Sequence, residues 1–534
     1  MSSLRIIKFG GLKPLTSDRN LADHMATIAN DVDLSQGILK PCRTPRKVGA
    51  QTGKVLWKED CCTKSFDDCE ASIAYKRIDC KRVIATNAGY PYPVTATLDE
   101  WCAGDICRLG FPCELHAPTT SVPADSGFNE HETDKQRRVY AYRLINKYGE
   151  ISQVSMPSLS INVDALDDVT VTVPAGFDTY CIDSIEILRS EQMPDLSGNT
   201  ANSTFFRIGE VPIGTTTFVD TGEIIQEFAE ETIDFEPPPA NLRSVQYWGN
   251  DTFVGLTGDK LTVSEKGDYH AWPEANYISF DDKPIQIVAT DSVCYVATDA
   301  RPYVVGINSE NGCRAVNRLA DSHPIVSKRS MVAYNNHALY ASKDGIVMLS
   351  PSGQAKLLTA AYYTKDQWRA LQPATMQAVI HDGHYFGFFA NETIRFKIPD
   401  GVYEDGSEVN LTTLSMRPTA AYRSLNDELY YIEGGNLLWW NEGTDWLELT
   451  WQSSIFTAPS VTDFTAFKLQ ISHAKAYIEH WCDQERIDVD EVSDPYPKYL
   501  TAGRDGLDWS FLVKTKGIVK EYSIATSIND LGQK

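Results

Sequence analysis

Along this chain, short apolar runs alternate with polar residues and are broken repeatedly by Gly, Asn, Asp and Pro. Alternation with period two buries one face of a strand, and such breakers end it in a turn. The pattern predicts a mainly β protein. Two stretches read as helices instead. Residues 17–29 (SDRNLADHMATIA) place Leu21, Met25 and Ile28 on one helical face. Residues 364–373 (TKDQWRALQP) carry a capping box, Thr364 with Gln367, and a stop at Pro373. The stretch 26–43 (ATIANDVDLSQGILKPCR) begins with a helix-forming run and turns at Asn30-Asp31. An alternating strand, a Ser-Gln-Gly turn and a second short strand ending at Pro41 follow. Nothing in this small unit is equipped for chemistry.

A repeat emerges in the second half. Five segments each read as an aromatic-containing strand, a polar turn and a second strand. Aligned on Phe253, Tyr295, Tyr340, Tyr385 and Tyr430, they are spaced by 42, 45, 45 and 45 residues. A hairpin recurring at that period marks the blades of a β-propeller. The next interval falls near residue 475, within FKLQISHAKAYIEHW (467–481), which reads as a further blade. Five or six blades are expected. The N-terminal runs GKVLWKED and SIAYKRIDCKRVIATNA can complete the ring, removing open edges.

Between the opening and this repeat lies a separate β unit. RVYAYRLINKYGEISQVS, VTVTVP, IDSIEILRS, FFRIGEVP and TTTFVDTG supply strands at the spacing of a β-sandwich. The opening YRLINKYGE and the ending IGEVPIGTTTFVDTG resemble a fibronectin type III domain, which implies a spacer or adhesion module. Residues 223–242 follow, acidic and ending in three prolines, and read as a solvated, extended linker. The layout is therefore 1–130 (helix, hairpin and early propeller strands), 131–222 (inserted sandwich), 223–242 (linker) and 243–534 (blades and closing strands).

A chain of 534 residues exceeds one compact core and implies two to four domains. Its net charge of −23 disfavours tight nucleic-acid binding over a broad face, but suits a surface that nucleic acid passes without sticking. The N-terminus lacks an apolar stretch long enough for a signal peptide, and no window approaches a membrane span. Folding in a cytoplasm is expected. Eight cysteines (42, 61, 62, 69, 80, 102, 107 and 113) lie early, at spacings unlike zinc knuckles. They are expected to be reduced thiols used as small core residues.

No nucleophile elbow, phosphate loop, zinc-protease helix or dinucleotide motif occurs. His381 and His384 are the nearest histidine pair and read as flanks of an Asp-Gly hairpin. The acidic runs 403–408 and 483–494 read as solvated loops, and 503–511 only loosely resembles a sialidase Asp-box. PDGVYEDG (399–406) lacks the ordered ligands of a calcium loop. Trp439, Trp440 and Trp446 could form a sugar platform, although strand placement favours core packing of Trp446 and Leu447. Sequons at Asn391 and Asn410 carry no meaning without export. No catalytic, cofactor-binding or metal-ligating residue is assigned, and the chain reads as a non-enzyme.

Asn30, Val32, Leu34, Gly37, Leu39 and Pro41 fit the hairpin Asn-x-Val-x-Leu-x-x-Gly-x-Leu-x-Pro, preceded by FGGLKP. This start resembles the tail nozzle or hub proteins of short-tailed bacteriophages, also called tail tubular protein B or packaged-DNA stabilisation proteins. CRLGFP (107–112), RVYAYRLINKYGE, PPPANLRSVQYWGNDTFVGLTGDKLTVSEKGDYHAWP (237–273), TKDQWRALQPATMQAVIHDGHYFGFF (364–389) and WQSSIFTAPSVTDFTAFKLQ (451–470) match in the same order.

The resemblance implies a structural virion part, made and assembled in the bacterial cytoplasm. A homohexameric ring would lie below the head-to-tail adaptor and contact fibres or a tailspike and a distal plug. Genomic DNA would pass through its axial channel without sequence-specific binding, and the chain's acidity implies an uncharged or acidic channel wall. The competing expectation is a propeller glycosidase or carbohydrate-binding protein for host-surface attachment, with two carboxylates at the propeller mouth.

Overall fold

The computed structural model describes residues 3–78, 81–122, 135–164, 167–190, 193–194, 204–223, 227–249, 251–307, 314–399, 410–500 and 504–531. The chain is mainly β and divides into two compact units: Met1–Cys69 with Asp282–Lys534, and Glu70–Asp281.

In the first unit, residues 284–318, 332–357 and 377–414 each form a four-stranded antiparallel meander. A fourth is made by Ala420–Arg423, Leu429–Glu433 and Asn436–Trp439, with Arg46–Ala50 supplied by the N-terminal segment as its outer strand. In the second unit, residues 243–279 and 72–108 form two further sheets of the same kind. Phe253, Tyr295, Tyr340, Tyr385 and Tyr430 each occupy the second strand of one such sheet and are buried. Their hydroxyls explain the recurrence of Tyr. Tyr295, Tyr340 and Tyr385 donate to the carbonyls of Asn336 (2.6 Å), His323 (2.7 Å) and Ser330 (3.1 Å), so each ring is buried without leaving its O–H unpaired.

Several expectations are corrected. The strand completing the 420–439 sheet is Arg46–Ala50; Val55–Glu59 pairs instead with Cys62–Phe66, and 72–86 build a sheet of their own. Residues 467–481 are not a further blade. Ala466–Ser472 lies in a sheet with Ser3–Ile6, Ile518–Ala525 and Lys498–Tyr499. Ala476–Cys482 lies in another, between Glu485–Val492 and Asp505–Thr515, which extends through Leu449–Ser453 and Ala26–Asn30 and joins the 377–414 meander where Asn30 pairs with Thr413. Phe467, Trp509, Phe511 and Tyr522 share their core, with the Phe511 and Tyr522 rings stacked at 3.6 Å. The acidic stretch 483–494 is therefore mostly a paired strand, and 505–511 lie in another. The run 403–408 lies outside the described residues.

No helix spans 17–29. Turns occupy its first half, burying Leu21 and Met25, and Ala26–Asn30 is a strand paired with Leu449–Ser453. Tertiary pairing recruits β-branched Thr27 and Ile28 and overrides a weak helical pattern. The helix Lys365–Ala370 does form, with Thr364 and Gln367 as its capping box.

The second unit also holds a small sandwich. Tyr140, Tyr142, Leu144 and Ile187 of one sheet pack on Val169, Val171 and Val173 of another. Thr119–Ser121 already pairs with Val169–Thr172, so this sandwich begins before residue 131. Strand Tyr140–Asn146 is closed by a serine ladder. Ser152, Ser155 and Ser158 donate backbone N–H groups to the carbonyls of Leu144, Tyr142 and Tyr140 at 2.9, 2.9 and 2.7 Å. The same serines accept N–H groups from those residues through their hydroxyls at 2.9, 3.0 and 2.9 Å. A side-chain ladder thus removes an open edge.

The 223–242 segment is not a free linker. Phe228 bridges Phe206, and Arg207 N–H donates to the Glu227 carbonyl at 3.0 Å, which adds a single β-bridge to the sandwich edge. The cysteines also depart from expectation. Cys107 and Cys181 form a disulfide that ties the 72–108 sheet to the sandwich, and Cys62 and Cys102 are half-cystines as well. Cys42, by contrast, is a free buried thiol whose pKa burial pushes up to about 12.

Candidate functional site

The opening hairpin is the point on which the first unit converges. Val32–Asp33 pairs with Lys40–Pro41, and Gly37 makes the turn with φ of 70°. Val32, Leu34 and Leu39 are buried in the largest core of the unit. Leu39 and Val519 exchange both backbone hydrogen bonds, at 3.0 and 2.9 Å. Asp31 N–H donates to the Thr413 carbonyl at 3.0 Å, and the Asp31 carboxylate accepts the Ser415 N–H at 2.8 Å. Burial raises the Asp31 pKa, and the Ser415 contacts offset part of that rise.

The preceding glycines fit the same junction. A Cβ on Gly11 would lie 2.4 Å from the Leu411 carbonyl oxygen, so only glycine allows this approach. Gly10 accepts the Trp451 indole N–H at 3.1 Å, and Phe9 meets Trp451 edge-on at 5.1 Å. The residues that carry the sequence signature are framework residues, each fixing a turn, a close approach or a buried contact.

Beside the hairpin lies a cavity of about 140 Å³, lined by Asp33, Lys40, Arg43, His381, Arg395 and Trp446 among others. It gathers residues singled out separately in the sequence. His381 and His384 face each other across a two-residue turn at Asp382-Gly383, as the hairpin expectation requires, but they engage different partners. His381 Nδ1 lies 3.4 Å from Asp427, while His384 Nδ1 donates to the Asp382 carbonyl at 2.7 Å. That leaves His384 Nε2 as an acceptor for Arg395, 3.4 Å away. Burial, then the neighbouring Arg395 charge, push the His384 pKa down to about 4, so its ring is neutral.

Arg395 is one of the residues in the wall. Its side chain is 12% exposed, its Nη2 is 3.7 Å from Asp33, and its Nε has no hydrogen-bond partner among the described residues. Burial alone would raise the Asp33 pKa; Arg395 and the Ser35 amide outweigh it and hold the carboxyl below its ordinary value. Arg43 covers the Trp446 ring at 4.7 Å, and Trp440 packs edge-on against Phe386 at 5.8 Å. Leu447 packs against the neighbouring core as expected, whereas Trp446, expected there too, is half-buried and lines the cavity.

Sequence reasoning passed over Arg395. Its signal is an arginine set between Ile394 and Phe396 in the strand Thr393–Lys397, on the same alternation as Thr393 and Lys397. Among the described residues, no group of three or more His, Cys, Asp or Glu is placed to hold a metal ion.

No family model matches this chain, and no curated protein matches it. Solved structures with some likeness include the β-propeller domain of Myceliophteria thermophila Cps50 (Swd1), at 10% identity and a TM-score of 0.26, covering 51% of this chain and 80% of that one. The WD40 domain of Neurospora crassa Pan2 aligns at 7% identity and a TM-score of 0.27, covering 63% and 99%. An exo-β-1,3-galactanase from Phanerochaete chrysosporium, solved with galactose, aligns at 9% identity and a TM-score of 0.20, covering 53% and 95%. Likeness at this level says nothing about activity.

Proposed function

We propose that this chain is a structural component of a short-tailed bacteriophage tail. Six copies form a nozzle ring below the head-to-tail adaptor, and genomic DNA is retained in and ejected through its channel. The four-stranded meanders serve as propeller blades, and the 119–220 sandwich as a fibronectin type III-like domain. The observation that carries the reading is the opening hairpin. Its signature residues Val32, Leu34 and Leu39 are buried, and Asp31 and Leu39 bond to the 413–415 and 519 backbones. A motif spent on holding a frame together fits a load-transmitting ring better than a catalyst.

The net charge of −23 per chain supports a channel wall that repels phosphate and lets DNA slide. A wall lined mainly with Lys and Arg would contradict that part. Native mass spectrometry of the chain, alone and mixed with a candidate adaptor ring, tests the assembly. A six-chain species, formed at least when the adaptor is present, is expected; a monomer under both conditions counts against it.

A second reading, a carbohydrate-binding protein for host attachment, draws support from the aromatic residues around the hairpin cavity.

A further inference from the structure

The cavity beside the opening hairpin contains an unusual guanidinium. Arg395 is nearly buried, yet its Nε has no partner and its nearest carboxylate oxygen is 3.7 Å away, beyond hydrogen-bond distance. Among the described residues, its one polar contact within 3.5 Å is the imidazole of His384, at 3.4 Å. Buried guanidinium groups ordinarily meet a carboxylate in a bidentate fork, because unpaired buried donors cost free energy. Arg395 lies over the Phe386 ring at 5.7 Å and lines a cavity of about 140 Å³, with Lys40 and Arg43 also in its wall.

We propose that this cavity binds the carboxylate of a small monoanionic acid, with Arg395 as its principal ligand. A planar carboxylate matches the fork and supplies the acceptors that Arg395 lacks. Lys40 and Arg43 add attraction. Asp33 and Asp382 line the same cavity, so a doubly charged phosphate meets two like charges. His384 assists by holding the guanidinium orientation as a neutral acceptor, since its Nδ1–H is committed to Asp382. The volume suits a group of several heavy atoms, a single sugar residue at most. The acid's source is either a simple carboxylate or a sugar acid stacked on the Trp446 side. The site stands independently of the nozzle reading, because it needs one folded chain and no ring.

The test is binding to the full-length chain at neutral pH by saturation-transfer NMR and titration calorimetry. The probes are acetate, glucuronate, glucose and inorganic phosphate. Saturable binding of acetate or glucuronate is expected, each displacing the other, with glucose and phosphate at least tenfold weaker. Glucuronate tighter than acetate identifies a sugar acid as the source; equal affinity identifies a simple carboxylate. Arg395→Met should weaken carboxylate binding at least about tenfold, the value of one charge-assisted hydrogen bond. Arg395→Lys, which keeps the charge without the fork, should weaken it too, and covers the case in which Arg395→Met does not fold. No carboxylate binding to the folded wild-type chain, phosphate binding as tight as acetate, or unchanged affinity in folded Arg395→Met overturns the proposal.

Discussion

Leu39 and Val519 each donate a backbone N–H to the other's carbonyl, at 3.0 and 2.9 Å, so the opening hairpin is bonded to a strand near the far end of the chain. With Ser3–Ile6 paired to Ile518–Ala525 and Arg46–Ala50 completing the 420–439 sheet, the N-terminal segment acts as a clasp.

Breaking the clasp should destabilise the whole first unit. Leu39→Pro removes the donor to Val519 and is expected to cost about 3 kcal/mol or more. Asp31→Ala removes the acceptor of the Ser415 N–H and should cost about 1–3 kcal/mol. Urea denaturation with fluorescence of the buried tryptophans reads both losses. Unchanged midpoints would show that the hairpin is not a structural keystone.

The serine ladder makes a local prediction. Replacing Ser152, Ser155 and Ser158 together by Ala leaves the N–H groups of Leu144, Tyr142 and Tyr140 without acceptors. Each loss is expected to cost about 1–3 kcal/mol. Hydrogen exchange of those three amides should accelerate first; exchange at wild-type rates would rule the ladder out as an edge seal.

His480 sets an acid limit. It is fully buried between Phe467 and Tyr522, its ring nitrogens have no hydrogen-bond partner among the described residues, and burial pushes its pKa down to about 3. The unfolded chain therefore takes up a proton near pH 6.5 that the folded chain refuses. Stability is complete above about 6.5 and is lost as pH falls toward 3. At pH 5 the loss attributable to His480 is about 2 kcal/mol. His480→Phe should flatten the decline in melting temperature between pH 7 and 5; an unaltered slope would assign acid sensitivity elsewhere.

The Cys107–Cys181 bond should survive purification, and its reduction should destabilise the second unit by about 2–4 kcal/mol. Alkylation without reductant, followed by peptide mass spectrometry, should leave both residues unlabelled in the unfolded chain. Labelling of both would contradict the pairing.

What could be read from the sequence follows from what local chemistry controls. The aromatic repeat was legible because Phe253 to Tyr430 occupy equivalent positions in equivalent strands. The 30–41 hairpin was legible from turn chemistry, and the 365–370 helix from Thr364 and Gln367. The helix Leu98–Ala103 carried the same signal, Thr97 with Glu100 and a glycine stop at Gly104, and was overlooked.

Other elements depend on distant partners. Arg46–Ala50 has no apolar stripe because it is an exposed outer strand, so its partner alone defines it. Residues 467–481 kept the aromatic spacing, but their strands enter two sheets, a choice made by Asp505–Thr515 and Ile518–Ala525. The cysteine spacing could not reveal Cys107–Cys181, which joins residues from two sheets. At the hairpin cavity, the Trp and His residues were visible as candidates. Arg395 was not, because an arginine's unsatisfied donors appear only once its surroundings are known.

The central claim is that this chain builds a ring. Electron microscopy of the native assembly, with class averages taken down the symmetry axis, tests it most directly. A six-fold ring with a central hole wide enough for duplex DNA is expected. Isolated discs, or a compact oligomer with no axial channel in that native sample, would contradict it.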